Sequence, residues 1–217
     1  MNNTLLDYND DTYKVYYPVN NNSAVVKSLL KNKIWEKKLI PYFEQYIDKD
    51  SVVIDIGAYI GSHTILMSNM AHKVYSFEPQ KLAGKCLMKT IEENNLNNVK
   101  FYNIGLFNYK GINHIQTNDD GDASMVVPRK TPYKFEYPVQ VDRLDNLVKD
   151  PIDFMKIDCE GAEFEVLEGA KNIIHIYKPV ICIEVFKHSR WKIKQFCWKN
   201  DYNYKHISGD DFILTSK

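Results

Sequence analysis

The sequence predicts an α/β fold, a mostly parallel sheet with helices on both faces, and three observations lead there. From residue 51 onward, short apolar runs of strand length alternate with stretches of helical periodicity. The first run is followed at once by a glycine-punctuated turn and a helix-forming stretch. The 217 residues are 44% hydrophobic, enough for one sizeable core, which excludes a disordered chain or a disulfide-stapled miniprotein. Residues 1–47 read as an N-terminal arm and helices packing on the core, and 48–217 as the α/β domain, with an irregular insertion at about 104–142.

Residues 1–22 are polar and Asn-rich, with apolar islands at Val15–Pro18 that suit a short strand or ordered arm. Val26, Leu29, Leu30 and Ile34 fall at helical spacing, and this helix is expected to break at Pro41, which can open a second turn through Ile47. Ser51–Asp55 is a doubly apolar run typical of a buried parallel strand. Gly57 to Gly61 punctuate it, and a helix begins at Thr64–Met67. Lys73–Phe77 is the second strand, Ala83, Leu87 and Ile91 mark a helix face, and Val99–Asn103 is the third strand.

Across 104–142 the alternation is lost among Gly105, Gly111, Gly121, Pro128, Pro132 and Pro138, which reads as a hairpin-bearing insertion placed where a substrate lid would sit. Order returns with strand Phe154–Asp158, a helix over Ala162–Ala170, strand Val180–Glu184 and a helix over Arg190–Lys199. Two short strands, near Tyr202–His206 and Phe212–Leu214, close the chain.

Twenty-eight Lys+Arg balance 28 Asp+Glu, so the chain lacks the broad basic field of a general phosphate-backbone binder. Cys86, Cys159, Cys182 and Cys197 show no C-x-x-C spacing and read as reduced thiols rather than a zinc site. The N-terminus has no signal-peptide pattern, and no apolar run approaches the roughly 20 residues of a membrane span. A cytoplasmic protein without a membrane partner is expected.

In a parallel sheet of this kind ligands bind beyond the carboxyl ends of the strands. The first strand end reads Asp55-Ile56-Gly57-Ala58-Tyr59-Ile60-Gly61, a G-x-x-x-G spacing rather than the G-x-G-x-x-G of a dinucleotide site. Asp55 would repel a pyrophosphate and favour a cationic ligand, directly or through water. Glu78, at the second strand end, is placed to accept hydrogen bonds from ribose hydroxyls. Asp158, Glu160 and Glu163 crowd the fourth strand end and Glu184 sits at the fifth. Such crowding costs energy unless a cation, hydrogen bonds or a proton resolves it.

The segment from Val53 to Thr64, Phe77-Glu78-Pro79, Leu144-Asp145, the run Met155 to Glu163, Leu167 to Ala170 and Ile183-Glu184 together resemble the FkbM family of S-adenosylmethionine-dependent methyltransferases. Tyr59 departs from the pattern, where the family commonly carries Asn. The resemblance implies a Rossmann-like class I methyltransferase fold with a seven-stranded sheet, and O-methylation, often of sugars or natural-product hydroxyls. Donor-binding residues are then expected at Asp55, Gly57, Tyr59, Gly61, Thr64, Glu78, Pro79, Asn103 and Asp158.

Asp158, Glu160, Glu184 and His63 are the candidate catalytic residues, the three acids as the base or as an oxygen-only site for a divalent cation such as magnesium, manganese or calcium. His188 is a weaker candidate, and His72, His114, His175 and His206 read as surface or packing residues. Cys159, between acids, is expected to be a poor nucleophile. Tyr102, Tyr109, Tyr133 and Phe135 are candidate walls of an acceptor pocket, and Ser124 matches a frequent family serine. The acceptor is read as a small molecule or glycan, first of all a sugar. A cofactor-binding scaffold without chemistry and a methyltransferase acting on nucleic acid or protein are the alternatives. A homodimer is compatible with the sequence.

Overall fold

The computed structural model describes residues 1–31, 33–117, 123–125 and 135–217, with backbone alone at 123–125 and Phe135. The N-terminal arm is an antiparallel hairpin of β1 (Asn2–Tyr8) and β2 (Asp11–Tyr17), turned through Asn9 in a left-handed conformation. Helix α1 (Ala24–Leu29) is capped by the Ser23 hydroxyl, which accepts from the Val26 amide. It ends well before Pro41, shorter than its apolar spacing suggests. Pro41 instead stands in the first turn of α2 (Ile40–Tyr46), where its missing N–H costs nothing.

The alternation then follows as expected: β3 (Val52–Ile56), α3 (Ser62–Met70), β4 (Lys73–Phe77), α4 (Lys81–Glu93) and β5 (Val99–Tyr102). The N-terminal hairpin docks on α4: the β2 amides of Lys14 and Tyr16 donate to Asn94 Oδ1 (2.8 Å) and Thr90 Oγ1 (3.0 Å). Helix side chains thereby cover an edge that would otherwise invite another strand.

The described part of 104–142 is more regular than its composition suggests. They build a second sheet from β6 (Gly105–Leu106), β7 (Gly111–Thr117), β8 (Ala123–Met125) and β9 (Phe135–Asp142), in the order β6-β9-β7-β8. Alternating burial along β7 puts Ile115 and Thr117 inside and His114 outside, and this period of two is what the glycines and prolines concealed. Ser124, Tyr133 and Phe135, weighed above for the acceptor pocket, have side chains outside the described residues.

The chain continues with α5 (Leu144–Leu147), β10 (Phe154–Ile157), α6 (Glu163–Gly169), α7 (Lys171–Tyr177), β11 (Val180–Glu184), α8 (Trp191–Asn200), β12 (Tyr202–Ser208) and β13 (Asp211–Ser216). The main sheet has the order β12-β13-β11-β10-β3-β4-β5. The five strands from β11 to β5 are parallel, but β13 runs antiparallel to both β11 and β12. The sheet is therefore mixed. The tight β12–β13 turn at Gly209 and Asp210 forces the reversal, because only an antiparallel pair can be joined by so short a connection.

Ile54, Ile56, Met155, Ile157, Ile181 and Ile183 pack one face of the sheet against α5 to α8. Val53, Val74, Phe154, Cys182 and Ile213 pack the other against Phe43 of α2 and Met67 of α3. Asp55 and Lys156 are paired in the parallel register and share that second face, two ionised residue types in the middle of a core.

Candidate functional site

A cleft with about 960 Å³ of empty space, part of it open to solvent, lies where the strand order reverses, across the carboxyl ends of β3, β4, β10 and β11. Ser23, Ala24, Val25, Trp35 and Glu36 form one wall, and Ile104, Gly105, Leu106 and Ile115 bring the second sheet to another. Its floor is the turn after β3. Gly57 stands there at φ 77°, and a Cβ at this position would lie 1.7 Å from the carbonyl oxygen of Asp158. The turn is held from the other side too, since the amides of Gly57 and Ala58 donate to the Phe77 carbonyl at 3.0 and 3.1 Å. Backbone packed this closely on both neighbours admits only glycine.

Beneath the turn, Asp55 is fully buried. Its Oδ2 accepts from Thr64 Oγ1 at 2.6 Å, while Oδ1 has no hydrogen-bond partner among the described residues. Burial pushes this carboxyl up, and the nearby Lys156 ammonium and the Thr64 hydroxyl pull it back. A buried acceptor with one oxygen unused fits a cationic or hydrogen-donating group reached through a bridging water. Thr64 is thus a support of Asp55 and does not line the cavity.

Glu78, just past β4, lines the cavity and is 4% exposed. The Tyr59 amide donates to its Oε2 at 2.9 Å and the Gln80 amide to its Oε1 at 2.7 Å. These bonds fix the carboxylate's direction and leave lone pairs on both oxygens for a pair of hydroxyls. Burial pushes Glu78 up to about 7 despite the two amides. Asn103 holds this loop from behind, donating to the Glu78 carbonyl at 2.6 Å. Pro79 and Tyr59 both line the cavity; Asn103 and Gly61 do not.

Tyr59 makes side-chain contacts of its own. Its hydroxyl accepts from Asn21 Nδ2 at 2.5 Å and donates to Ser23 Oγ at 3.3 Å, which ties the N-terminal wall to the glycine turn. Replacing Glu78 by Ala is expected to weaken binding of a ribose-bearing ligand such as S-adenosylhomocysteine by about 1–3 kcal/mol in titration calorimetry, the cost of unmet hydrogen bonds to a charged group.

The other end of the cavity is acidic. Asp158, Glu160 and Glu184 each offer an oxygen within 4.8 Å of the others. Glu160 adopts φ 55° and Gly161 φ 111°, so the loop after β10 turns sharply enough to bring Glu160 back over the strand end. Glu184 and Asp158 share a hydrogen bond. Burial and the Asp158 charge push Glu184 up to about 9, so the pair holds one proton at neutral pH. Burial opposes ionisation of Asp158 as well, but Lys156 Nζ at 3.0 Å holds it below the usual carboxylate range.

Lys156 itself is 3% exposed. Burial disfavours its charge, and Asp158, Asp55 and Glu36 around it more than restore it. Sequence reasoning passed over this lysine and over Trp35 and Glu36, which line the cavity from the N-terminal wall. Lys156 left a usable signal, a lone cation inside the apolar run Phe-Met-Lys-Ile, where an unpaired charge could not stay. Trp35 and Glu36 left none, because they reach the site from the far end of the chain.

His63 is placed elsewhere than a base would need. It does not line the cavity, is 5% exposed, packs edge-on against Phe43 and meets the Trp35 carbonyl at 3.1 Å. Burial depresses it to about 3, so it stays neutral and serves packing. His188 is exposed beside Phe186 and is likewise outside the lining. Cys159 lines the cavity, and burial with the Glu163 and Asp158 charges keeps its thiol protonated.

Glu163 turns inward as a clamp on the loop. Its Oε1 accepts from the Gly161 amide at 2.7 Å, and burial pushes it up to about 7. A carboxyl raised in the fold stabilises fully below its unfolded value near 4.5, and that contribution is lost as pH rises through 7. Glu163→Gln is therefore expected to gain about 1–3 kcal/mol relative to the parent chain between pH 5 and pH 8. Urea melts of the two proteins at both pH values check it.

A sequence model described as the methyltransferase FkbM domain matches residues 55–208. No curated protein sequence matches the chain. Among solved structures, a methyltransferase FkbM from Methylobacillus flagellatus superposes with TM-score 0.57 at 16% identity over 81% of this chain and 50% of that one. This chain thus spans about half the length of the Methylobacillus protein. An rRNA methylase from Streptococcus thermophilus gives TM-score 0.54 at 14% identity, covering 82% and 94% of the two chains. A Streptococcus mutans protein named as a methyltransferase, in complex with SAH, gives 0.54 at 17%, covering 81% and 92%. At such identities the structural likeness speaks for the fold.

Proposed function

Since this chain belongs to the FkbM methyltransferase family, we propose that it moves the methyl group of S-adenosylmethionine to a hydroxyl of a small molecule or glycan, first of all a sugar. The observation that carries this reading is the meeting, in one cavity, of an amide-oriented Glu78 at one end with the clustered Asp158, Glu160 and Glu184 carboxylates at the other.

When bound, S-adenosylmethionine supplies an electrophilic methyl on a cationic sulphur that leaves as a neutral thioether. Gly57, Tyr59, Glu78 and Pro79 line the cavity and are the residues to hold it, Glu78 by its free lone pairs, whereas Asp55 lies fully buried beneath the lining. With so good a leaving group, the protein's work is alignment, a contribution of about 7–11 kcal/mol in favourable cases, and removal of the hydroxyl proton. Asp158, held ionised by Lys156, receives that proton as the new oxygen–methyl bond forms and gives it up to solvent afterwards. Glu184 orients Asp158 through the hydrogen bond they share.

The three acids also form an oxygen-only donor set of the kind that suits magnesium, manganese or calcium. A cation would replace the shared proton in resolving their charge. If a cation is required, excess EDTA abolishes turnover and a divalent salt restores it; turnover that persists in EDTA assigns the charge balance to the proton and Lys156.

Among the described residues no helix is long and apolar enough to cross a membrane. The cytoplasm is the location this reading implies, in keeping with four free cysteines. The deciding experiment is release of S-adenosylhomocysteine on adding candidate hydroxyl acceptors. A folded protein that binds the donor and releases product with none of them is the scaffold alternative, and one that methylates RNA or protein instead overturns the hydroxyl assignment.

A further inference from the structure

Residues 171–200 carry six lysines and one arginine against a single acid, Glu184, in a chain whose charges cancel overall. Glu184 lines the cleft and holds a proton, so it does not offset them. The zero net charge therefore conceals a local basic surface, and α8, which has no acid of its own, lies at its centre. At 3.6 residues per turn, Trp191 and Trp198 share one face of α8, with Gln195 between them. Ile193 and Cys197 take the opposite face and are buried in the core. Both indoles point outward, Trp191 62% and Trp198 78% exposed. Lys194 flanks this ridge on one side, and Lys192 and Lys199 flank it on the other.

Trp191, Lys192 and Lys199 also line a groove that α8 forms with α6 and α7, where Lys171 of α7 joins them. The groove's one acid, Glu168, accepts from Asn108 Nδ2 at 2.9 Å. Among the described residues the ion pair of this region joins Arg190 to Asp210 at 2.8 Å, which leaves the α8 lysines to face solvent. Two indoles held side by side in water forfeit the burial their rings would gain in a less polar medium.

We propose that α8 is a docking helix, which lays the protein reversibly on an anionic lipid bilayer. The absence of a spanning run bears only on insertion across a bilayer; a helix lying in its surface needs none. Indoles settle at headgroup level, with the ring toward the acyl boundary and the N–H toward water. Lysines on both sides of the ridge rest their stems on apolar surface and carry their charges to the lipid phosphates. A second copy of this chain is a poorer occupant, because a two-fold axis would set like charges against each other. A nucleic-acid strand needs a basic groove to follow, whereas the groove beside α8 has an apolar floor of Phe164, Leu167, Ile174 and Phe196. The docking face is a helix flank outside the cleft, so it stands whether or not the methyl-transfer reading holds.

The test is co-sedimentation of the full chain with vesicles of phosphatidylcholine alone, and of phosphatidylcholine and phosphatidylglycerol at two to one, together with tryptophan emission. Expected is binding to the anionic vesicles at least about tenfold tighter than to the neutral ones, largely lost in high salt, with emission shifted to shorter wavelength. Lys192→Gln, Lys194→Gln and Lys199→Gln combined weaken binding about tenfold or more, since one lysine near such a surface is worth a factor of about five. Trp191→Ala with Trp198→Ala weakens it comparably and removes most of the emission shift; Trp198→Ala alone serves if the pair does not fold. Lys81→Gln with Lys85→Gln, on α4 beneath the N-terminal hairpin, leaves binding within about twofold. Circular dichroism melts establish that each variant is folded.

Absence of binding to the anionic vesicles, equal binding to the neutral ones, or binding that ignores both sets of α8 substitutions overturns the proposal. So does a short single-stranded RNA held by the same lysines more tightly than the vesicles, read by fluorescence anisotropy. A dimer that forms through α8 without lipid, seen in light scattering, overturns it as well.

Discussion

Asp158→Asn is expected to lower kcat by about 10²- to 10⁴-fold, the range a positioned base contributes, while donor affinity changes little. Asparagine keeps the size and cannot take the proton. It also removes the anion 3.0 Å from Lys156, which then leans on Asp55 and Glu36 alone. The variant is thus expected to be less stable as well, and thermal melting must accompany the kinetics so that lost chemistry is separated from lost fold. If folded Asp158→Asn keeps full turnover, the base lies elsewhere, and Glu160 is the next carboxylate in the lining.

Gly57→Ala is expected to damage both fold and binding. The added carbon would stand 1.7 Å from the Asp158 carbonyl oxygen, and that neighbour is backbone of the adjoining strand end, which cannot swing away. Left-handed strain and overpacking together amount to about 2–6 kcal/mol. Relief would come only by parting the ends of β3 and β10, which is where the cavity floor lies. Loss of donor binding together with a lower melting temperature is expected. An alanine variant that binds the donor normally would show that the turn is looser than the packing indicates.

The contrast between Asp55 and His63 shows how much of the site was legible. Both follow from the same stretch of sequence, Asp55 to Thr64, and both end up buried. Asp55 could be placed because a residue in a short parallel strand has its position fixed by the strand's own register. His63, in the helix beyond the glycines, could be aimed only by knowing what that helix packs against, and the answer was Phe43 and the Trp35 carbonyl. The second sheet was hidden for a related reason: its strands pair across long separations, such as Ile112 with Gln140, and local signals there were dominated by glycine and proline.

By itself the sequence determined the alternation of strands and helices, the glycine turn, and the acids at the tips of four strands, because each is a local pattern of spacing and side-chain chemistry. Only the tertiary structure decided that Lys156 lies buried between Asp55 and Asp158, that Glu163 clamps its own loop, and that Trp35 and Glu36 close the acidic end of the cavity. The physical reason is that desolvation and Coulomb energies depend on through-space distance, which residues remote in the chain acquire only when the sheet and its N-terminal wall come together.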